Sequence, residues 1–131
     1  MTGKNPLVVL SDDEPAFVEL YTLLLKGEGY RIASFNDRRR LLNLLEIVRP
    51  DLIVTGISSS GMDGLEFLRC AEMSPATRDI PIIVASVRWE DMDEALVLGA
   101  RDFLLKPFEV EEFIIAVKEA VIHSPWVYTE N

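Results

Sequence analysis

The sequence has few cysteines and no excess of basic charge. Cys70 is the single cysteine among 131 residues, which excludes an internal disulfide and predicts a reducing compartment, the cytoplasm. We expect this thiol to be buried or half-buried in a helix and inert. Only 13 residues are lysine or arginine against 22 acidic ones, for a net charge of −9. Because nucleic-acid-binding domains carry a basic stripe, direct contact with nucleic acid is not expected.

Long apolar runs are also missing. No stretch is long enough to span a bilayer and no signal peptide is recognisable, so we predict no membrane contact, and either a cytoplasmic protein or one domain of a larger one. Repeats and low-complexity segments are absent as well. The composition is 49% hydrophobic and 27% charged, which is ordinary for a globular domain with its own core.

Apolar strand-like runs alternate with helical periodicity five times along the chain. The predicted strands are Pro6–Leu10, Tyr30–Phe35, a run from Leu52 that stops at Gly56, Ile80–Ser86 and Asp102–Leu105. Short connections between them imply right-handed crossovers and a parallel sheet. The sequence therefore predicts a single α/β domain of flavodoxin-like topology, with strand order 2-1-3-4-5 and helices on both faces.

The predicted topology brings polar residues together at the carboxyl ends of the strands, namely Asp12, Asp13, Ser86 and Lys106. Adjacent carboxylates suit a hard cation such as Mg²⁺, a lysine opposite would balance their charge, and a serine could bond a phosphoryl oxygen. Plainer interpretations stay open. The acids could cap the following helix, the serine could bond local backbone, and the lysine could lie on the surface.

Three consecutive arginines, Arg38 to Arg40, follow Asp37, which is a candidate N-cap for the second helix. They could bind an anionic ligand. Since consecutive helix positions point in different directions, we favour a solvated helix face instead.

Four motifs in order resemble the receiver domain of bacterial two-component response regulators. They are DDEP at 12–15, PDLIV with GMDG between Pro50 and Gly64, PIIVAS at 81–86, and GARDFLLKPF at 99–108. The resemblance covers about Pro6 to Ile122, so we expect residues 1–123 to form a receiver domain and 124–131 a tail or linker.

The resemblance assigns roles residue by residue. Asp12 and Asp13 match the acidic pair that holds Mg²⁺, and Ser86 matches the residue that contacts the phosphoryl group. Lys106 matches the lysine that pairs with that group, and its bond to Pro107 is expected to be cis. Phe103 matches the switch aromatic. The implied partners are a sensor kinase or an output protein, with a homodimer through the face of the fourth helix, fifth strand and fifth helix.

One position departs from the family pattern, because the phosphoacceptor aspartate aligns with Gly56. Glycine offers neither a nucleophile nor a metal ligand, so we expect no acyl phosphate and weakened Mg²⁺ binding. Thr55 should face away from the pocket, because strand side chains alternate. Ser11 also replaces the apolar residue usual at its position. The sequence thus resembles a pseudo-receiver, a non-enzymatic interaction module that works in signalling without phosphorylation.

Three alternatives stay open at this point. The domain could be an active phosphorelay receiver with an unconventional acceptor, such as a serine of the loop Ser58–Ser60. It could be a small phosphatase-like enzyme that uses Asp12 or Asp13 as the nucleophile, although the only histidine, His123, is the last residue before the predicted tail. A flavin carrier shares the topology, but three acids in the first loop would repel its phosphate.

Overall fold

A computed structural model describes residues 5–58 and 61–123. Its five strands form one parallel sheet in the order β2-β1-β3-β4-β5, which confirms the predicted fold. The strands are β1 Leu7–Ser11, β2 Arg31–Ser34, β3 Leu52–Thr55, β4 Ile82–Ser86 and β5 Asp102–Leu105. The helices are α1 Pro15–Gly27, α2 Arg38–Leu44, α3 Gly64–Met73, α4 Met92–Val97 and α5 Val110–Ile122. The predicted tail at 124–131 lies outside the described residues, as do positions 59 and 60 of the serine loop.

Helices cover both faces of the sheet, and each face has its own apolar core. Every residue of β3 and β4 is buried, because these strands lie inside the sheet. Side chains of α1 and α5 pack on one face around Phe17, Tyr21 and Phe113. Side chains of α2, α3 and α4 pack on the other, around Leu41, Phe67 and Ala95. Half-buried Cys70 joins that second core, as expected.

The strand register aligns the carboxyl ends of the sheet. Ser11 at the end of β1 lies beside Thr55 at the end of β3, and Ser86 at the end of β4 lies beside Leu105 of β5. Residues that directly follow these strands therefore emerge along one edge, where ligands bind in open parallel sheets. This alignment positions the candidate site.

Two aspartates cap helices, and Asp37 does so as the sequence predicts. Asp37 accepts hydrogen bonds from the backbone N–H groups of Arg39 and Arg40 at 3.0 and 3.2 Å. Asp63 accepts one from Glu66 N at 2.8 Å. Each carboxylate satisfies first-turn N–H groups that have no partner within the helix.

The helices α2 and α4 are short. α2 ends at Leu44, and the chain then tightens into turns that leave Val48 exposed. α4 is preceded by a 3₁₀ turn, Trp89–Asp91. Within residues 5–58 and 61–123, no helix combines the length and apolar character that crossing a bilayer requires.

Candidate functional site

The carboxyl ends of β1, β3, β4 and β5 surround a pocket of about 380 Å³. The structure places all the residues expected there on its wall: Asp12, Asp13, Gly56, Ser86 and Lys106. Ser86 is the last residue of β4, and the others directly follow the ends of β1, β3 and β5. Thr55 is fully buried on the other side of the sheet edge, away from this pocket, as strand alternation requires.

Lys106 is an internal cation rather than a surface lysine. Its Nζ donates to Asp12 Oδ2 at 2.9 Å and to Glu14 Oε1 at 3.1 Å. It also lies 4.2 Å from the centroid of the Phe17 ring, which favours a cation over its face. The Lys106 and Asp12 side chains are only 13% and 6% exposed, so the pair is held in a partly desolvated place. The bond between Lys106 and Pro107 is cis, as expected.

Asp12 fills the space above Gly56. A Cβ atom placed on Gly56 would lie 2.7 Å from Asp12 Oδ2 and 3.0 Å from Asp12 Cγ. The other oxygen, Asp12 Oδ1, accepts a hydrogen bond from Glu14 N at 3.0 Å, just before α1 begins. Asp12 therefore bonds the backbone at the helix start and pairs with Lys106, over a position that has no side chain.

The hydroxyl of Ser86 is engaged next to its own strand end. Its Oγ donates to Asp91 Oδ2 at 3.2 Å and accepts a hydrogen bond from Arg88 N at 3.0 Å. The guanidinium of Arg88 also lies 3.5 Å from Asp91 Oδ2. This local bonding matches the plainer of the two sequence interpretations of Ser86.

The prediction of a solvated face for three arginines is wrong for Arg38. Arg39 and Arg40 are exposed, but Arg38 is only 2% exposed. As the first residue of α2, it turns inward beneath the ends of β1 and β3, where backbone carbonyls and the Thr55 hydroxyl accept its N–H groups. Helical spacing gives no sign of this, because a first-turn residue is placed by the loop before it.

Glu14 has a role that its place among the acids of the first loop does not predict. It is the second carboxylate on Lys106. The sequence does contain a sign of this pairing, because the first loop carries three consecutive acids and the topology places one lysine opposite them.

The acidic pair supplies the carboxylates that a divalent cation would contact in this pocket. Asp12 and Asp13 line the pocket, but Asp12 Oδ2 already accepts from Lys106, and Gly56 supplies no side-chain oxygen. In the part of the chain that the structure describes, no group of three or more His, Cys, Asp or Glu side chains is arranged to hold a metal ion. Mg²⁺ sites in proteins rest on one or two carboxylates with waters and phosphate oxygens. Asp12 and Asp13 are the carboxylates that the resemblance assigns to the ion, and one oxygen of Asp12 is bonded to Lys106.

Phe103 of β5 is half-buried and packs against the core formed by α2, α3 and α4. It also lines a groove of about 640 Å³ between β5 and α5, together with Ile115, Glu119 and His123. The position expected for a switch aromatic therefore links the second core to the outer surface of β5 and α5.

The fold and this pocket define a flavodoxin-like α/β domain with an acidic site at the carboxyl edge of its sheet. The model of the response regulator receiver domain family matches residues 8–118, and the chain belongs to that family. It is a receiver domain of two-component signalling. Receiver domains act as signalling modules that contact sensor kinases or output domains.

The chain is similar to part of longer response regulators. It is 30% identical over 113 residues to the DNA-binding response regulator MtrA of Mycolicibacterium smegmatis, covering 85% of this chain and 48% of that protein. The chain thus spans about half the length of the MtrA relatives it matches.

Two solved structures share the fold. A Francisella response regulator receiver domain is 26% identical with a TM-score of 0.81, over 90% of this chain and 98% of that one. The receiver domain of a Pseudomonas aeruginosa PAO1 sensor histidine kinase, solved with magnesium in its active site cleft, is 24% identical with a TM-score of 0.80, over 89% and 98%.

Proposed function

We propose that this receiver acts through protein–protein contacts and is not phosphorylated at the end of β3. The observation that carries the proposal is Gly56, which stands on the pocket wall where the resemblance expects the acceptor aspartate. An acyl phosphate needs a carboxylate nucleophile, and glycine has none.

The contacts inside the pocket support this proposal, because its polar groups satisfy one another. Lys106 is bonded to Asp12 and Glu14, and Ser86 is bonded to Asp91. In the family, lysine and serine serve the phosphoryl group. Here both side chains have internal partners, as a constitutive structural role requires.

The same contacts weaken the proposed Mg²⁺ site. Asp12 and Asp13 are the residues that would hold the ion, as the cleft of the Pseudomonas aeruginosa kinase receiver holds magnesium. A cation at Asp12 would have to compete with Lys106, and no carboxylate at Gly56 would assist it. We infer a low affinity for this reason.

An enzymatic alternative gains little from the geometry. For a phosphatase-like reaction Asp12 would be the nucleophile, but both of its carboxylate oxygens already accept hydrogen bonds, from Lys106 Nζ and from Glu14 N. The histidine that could serve as acid or base, His123, lines the groove of β5 and α5 rather than the pocket. Ser58 also lies on the pocket wall, but its hydroxyl lacks the carboxylate chemistry that an acyl phosphate needs.

The proposed interaction face consists of α4, β5 and α5. Val97 and Ile115 on these elements are 84% and 61% exposed. These apolar side chains are therefore available to contact a partner. Arg101, Asp102 and Glu112 line the adjoining groove, so charges of both signs border the apolar positions. A surface with both signs can pair with a second copy of itself across a two-fold axis. Besides this homodimer, a sensor kinase or output protein is the proposed class of partner.

Sedimentation velocity tests the proposed face and its independence of phosphorylation together. We expect concentration-dependent dimerisation that is unchanged by Mg²⁺ with beryllofluoride, which mimics a phosphoryl group. Val97→Glu should shift the domain to monomer because it places a charge in the apolar contact. Ile47→Glu is the matched control, since Ile47 is 80% exposed but lies after α2, off this face. Dimerisation that requires beryllofluoride would contradict the proposed function, and equal effects of the two variants would contradict the face.

A further inference from the structure

The guanidinium of Arg38 is buried among uncharged acceptors. Its Nε donates to Thr55 Oγ1 at 2.8 Å, and one Nη donates to the backbone oxygens of Met62 and Ser58 at 3.3 and 3.4 Å. The other Nη donates to Ser11 O at 3.4 Å. The buried hydroxyl of Ser11, on the same sheet face, has no hydrogen-bond partner among the described residues.

These acceptors belong to the three segments that frame the pocket. Ser11 directly precedes Asp12, and Thr55 directly precedes Gly56. Ser58 and Met62 lie on the connection between β3 and α3. One planar group with five N–H donors therefore joins the ends of β1 and β3 and the loop that follows β3. A divalent ion at the acidic pair would have to draw the same segments together from the pocket side.

The charge of Arg38 has no close carboxylate. Within residues 5–58 and 61–123 it forms no ion pair, and its burial lowers the pKa of the guanidinium. Asp13, Asp12 and Asp63 act against that shift at longer range. A buried charge is costly unless something compensates it, and the acids at the mouth of the pocket supply that compensation. The dependence is mutual, since the two adjacent aspartates repel each other and Lys106 contacts only Asp12 of the pair, so a second positive charge beneath them reduces the remaining repulsion.

We propose that Arg38 is a second fixed cation, beneath the pocket, which adds to Lys106 in offsetting the acidic pair and ties β1, β3 and the following loop together in place of a divalent ion. The inference rests on the proposed function and deepens it, because it explains how a receiver without the acceptor carboxylate keeps its pocket in shape. It also gives a reason, beyond the missing ligand at Gly56, for the low Mg²⁺ affinity proposed above.

Urea unfolding and Mg²⁺ titration of three proteins test the inference. Wild type should unfold at the same urea midpoint in EDTA and in millimolar Mg²⁺. Arg38→Met, which keeps the length but removes the charge, should unfold at lower urea, bind Mg²⁺ about tenfold more tightly and regain part of its midpoint with Mg²⁺. Arg39→Met is the matched control, since the adjacent exposed arginine makes the same change in net charge and should leave both properties as in wild type.

The outcomes separate the parts of the inference. If Arg38→Met and Arg39→Met bind Mg²⁺ equally, Arg38 does not act on the acidic pair and the inference is overturned. Should Arg38→Met not fold, Arg38→Lys supplies the test. Lysine keeps the positive charge but loses the planar array of N–H donors. This variant should therefore be less stable than wild type but bind Mg²⁺ as weakly as wild type does. A wild-type midpoint that rises with Mg²⁺ also overturns the inference. None of these results bears on phosphoryl uptake by wild type, which decides the proposed function separately.

Discussion

Gly56→Asp is expected to raise the affinity of the domain for Mg²⁺ by about tenfold or more, because it adds a carboxylate to the acidic pair at the pocket wall. The new Cβ would stand 2.7 Å from Asp12 Oδ2, so Asp12 must rotate away from Lys106. That movement frees a carboxylate oxygen for the ion and a lysine for an incoming phosphoryl group. Isothermal titration with Mg²⁺ measures the effect.

Gly56→Asn is the matched control for this substitution. It has nearly the same size and displaces Asp12 in the same way, but it adds no charge. We expect it to lower stability without Mg²⁺, as Gly56→Asp does, and to gain much less affinity for the ion. If Gly56→Asp binds Mg²⁺ no better than wild type, position 56 does not face the site of the cation and the account of the pocket is wrong.

Gly64→Ala is expected to destabilise the domain by about 3 kcal/mol or more, or to prevent folding. A Cβ on Gly64 would collide with the backbone oxygen of Gly56 and lie 2.8 Å from Ile57 Cα. Both obstacles are backbone atoms, so no side-chain rotation relieves the collision. The N–H of Gly64 also donates to Ile57 O at 2.8 Å, which fixes the close approach between the start of α3 and the end of β3. Urea unfolding followed by circular dichroism measures the loss.

Gly27→Ala provides the comparison in the same fold. Gly27 is the last residue of α1, and an added Cβ would meet no atom within 4 Å. Because alanine favours helix over glycine, we expect this variant to be as stable as wild type or more stable by about 0.5–1 kcal/mol. If Gly64→Ala and Gly27→Ala lose similar amounts of stability, the start of α3 does not approach the end of β3 as closely as the structure shows.

The sequence predicts the fold because its apolar runs, its helical spacing and its short connections all indicate the same topology. Alternating apolar runs and helical spacing determine five parallel strands, and the order 2-1-3-4-5 follows from the connections. The topology alone also brings Asp12, Gly56 and Lys106 to one edge, since each directly follows a strand. Capping by Asp37 and Asp63 follows from residue type and position.

What the sequence did not reveal is how the polar groups in and beneath the pocket pair. Arg38 looks like its exposed neighbours, and only the packing of the second helix against the ends of β1 and β3 shows that it is buried. The pairing of Glu14 with Lys106 and of Ser86 with Asp91 depends on side-chain directions within loops. Such directions have no periodicity, so spacing cannot predict them.

The measurement that tests the central claim most directly is the intact mass of the wild-type domain after incubation with Mg²⁺ and a small-molecule phosphodonor. A receiver that carries the acceptor aspartate, treated in parallel, confirms that the donor is active. The account predicts that the wild-type mass is unchanged while the control gains a phosphoryl group. A stoichiometric phosphoryl adduct on the wild-type domain would contradict it, and the modified residue would then identify an unconventional acceptor.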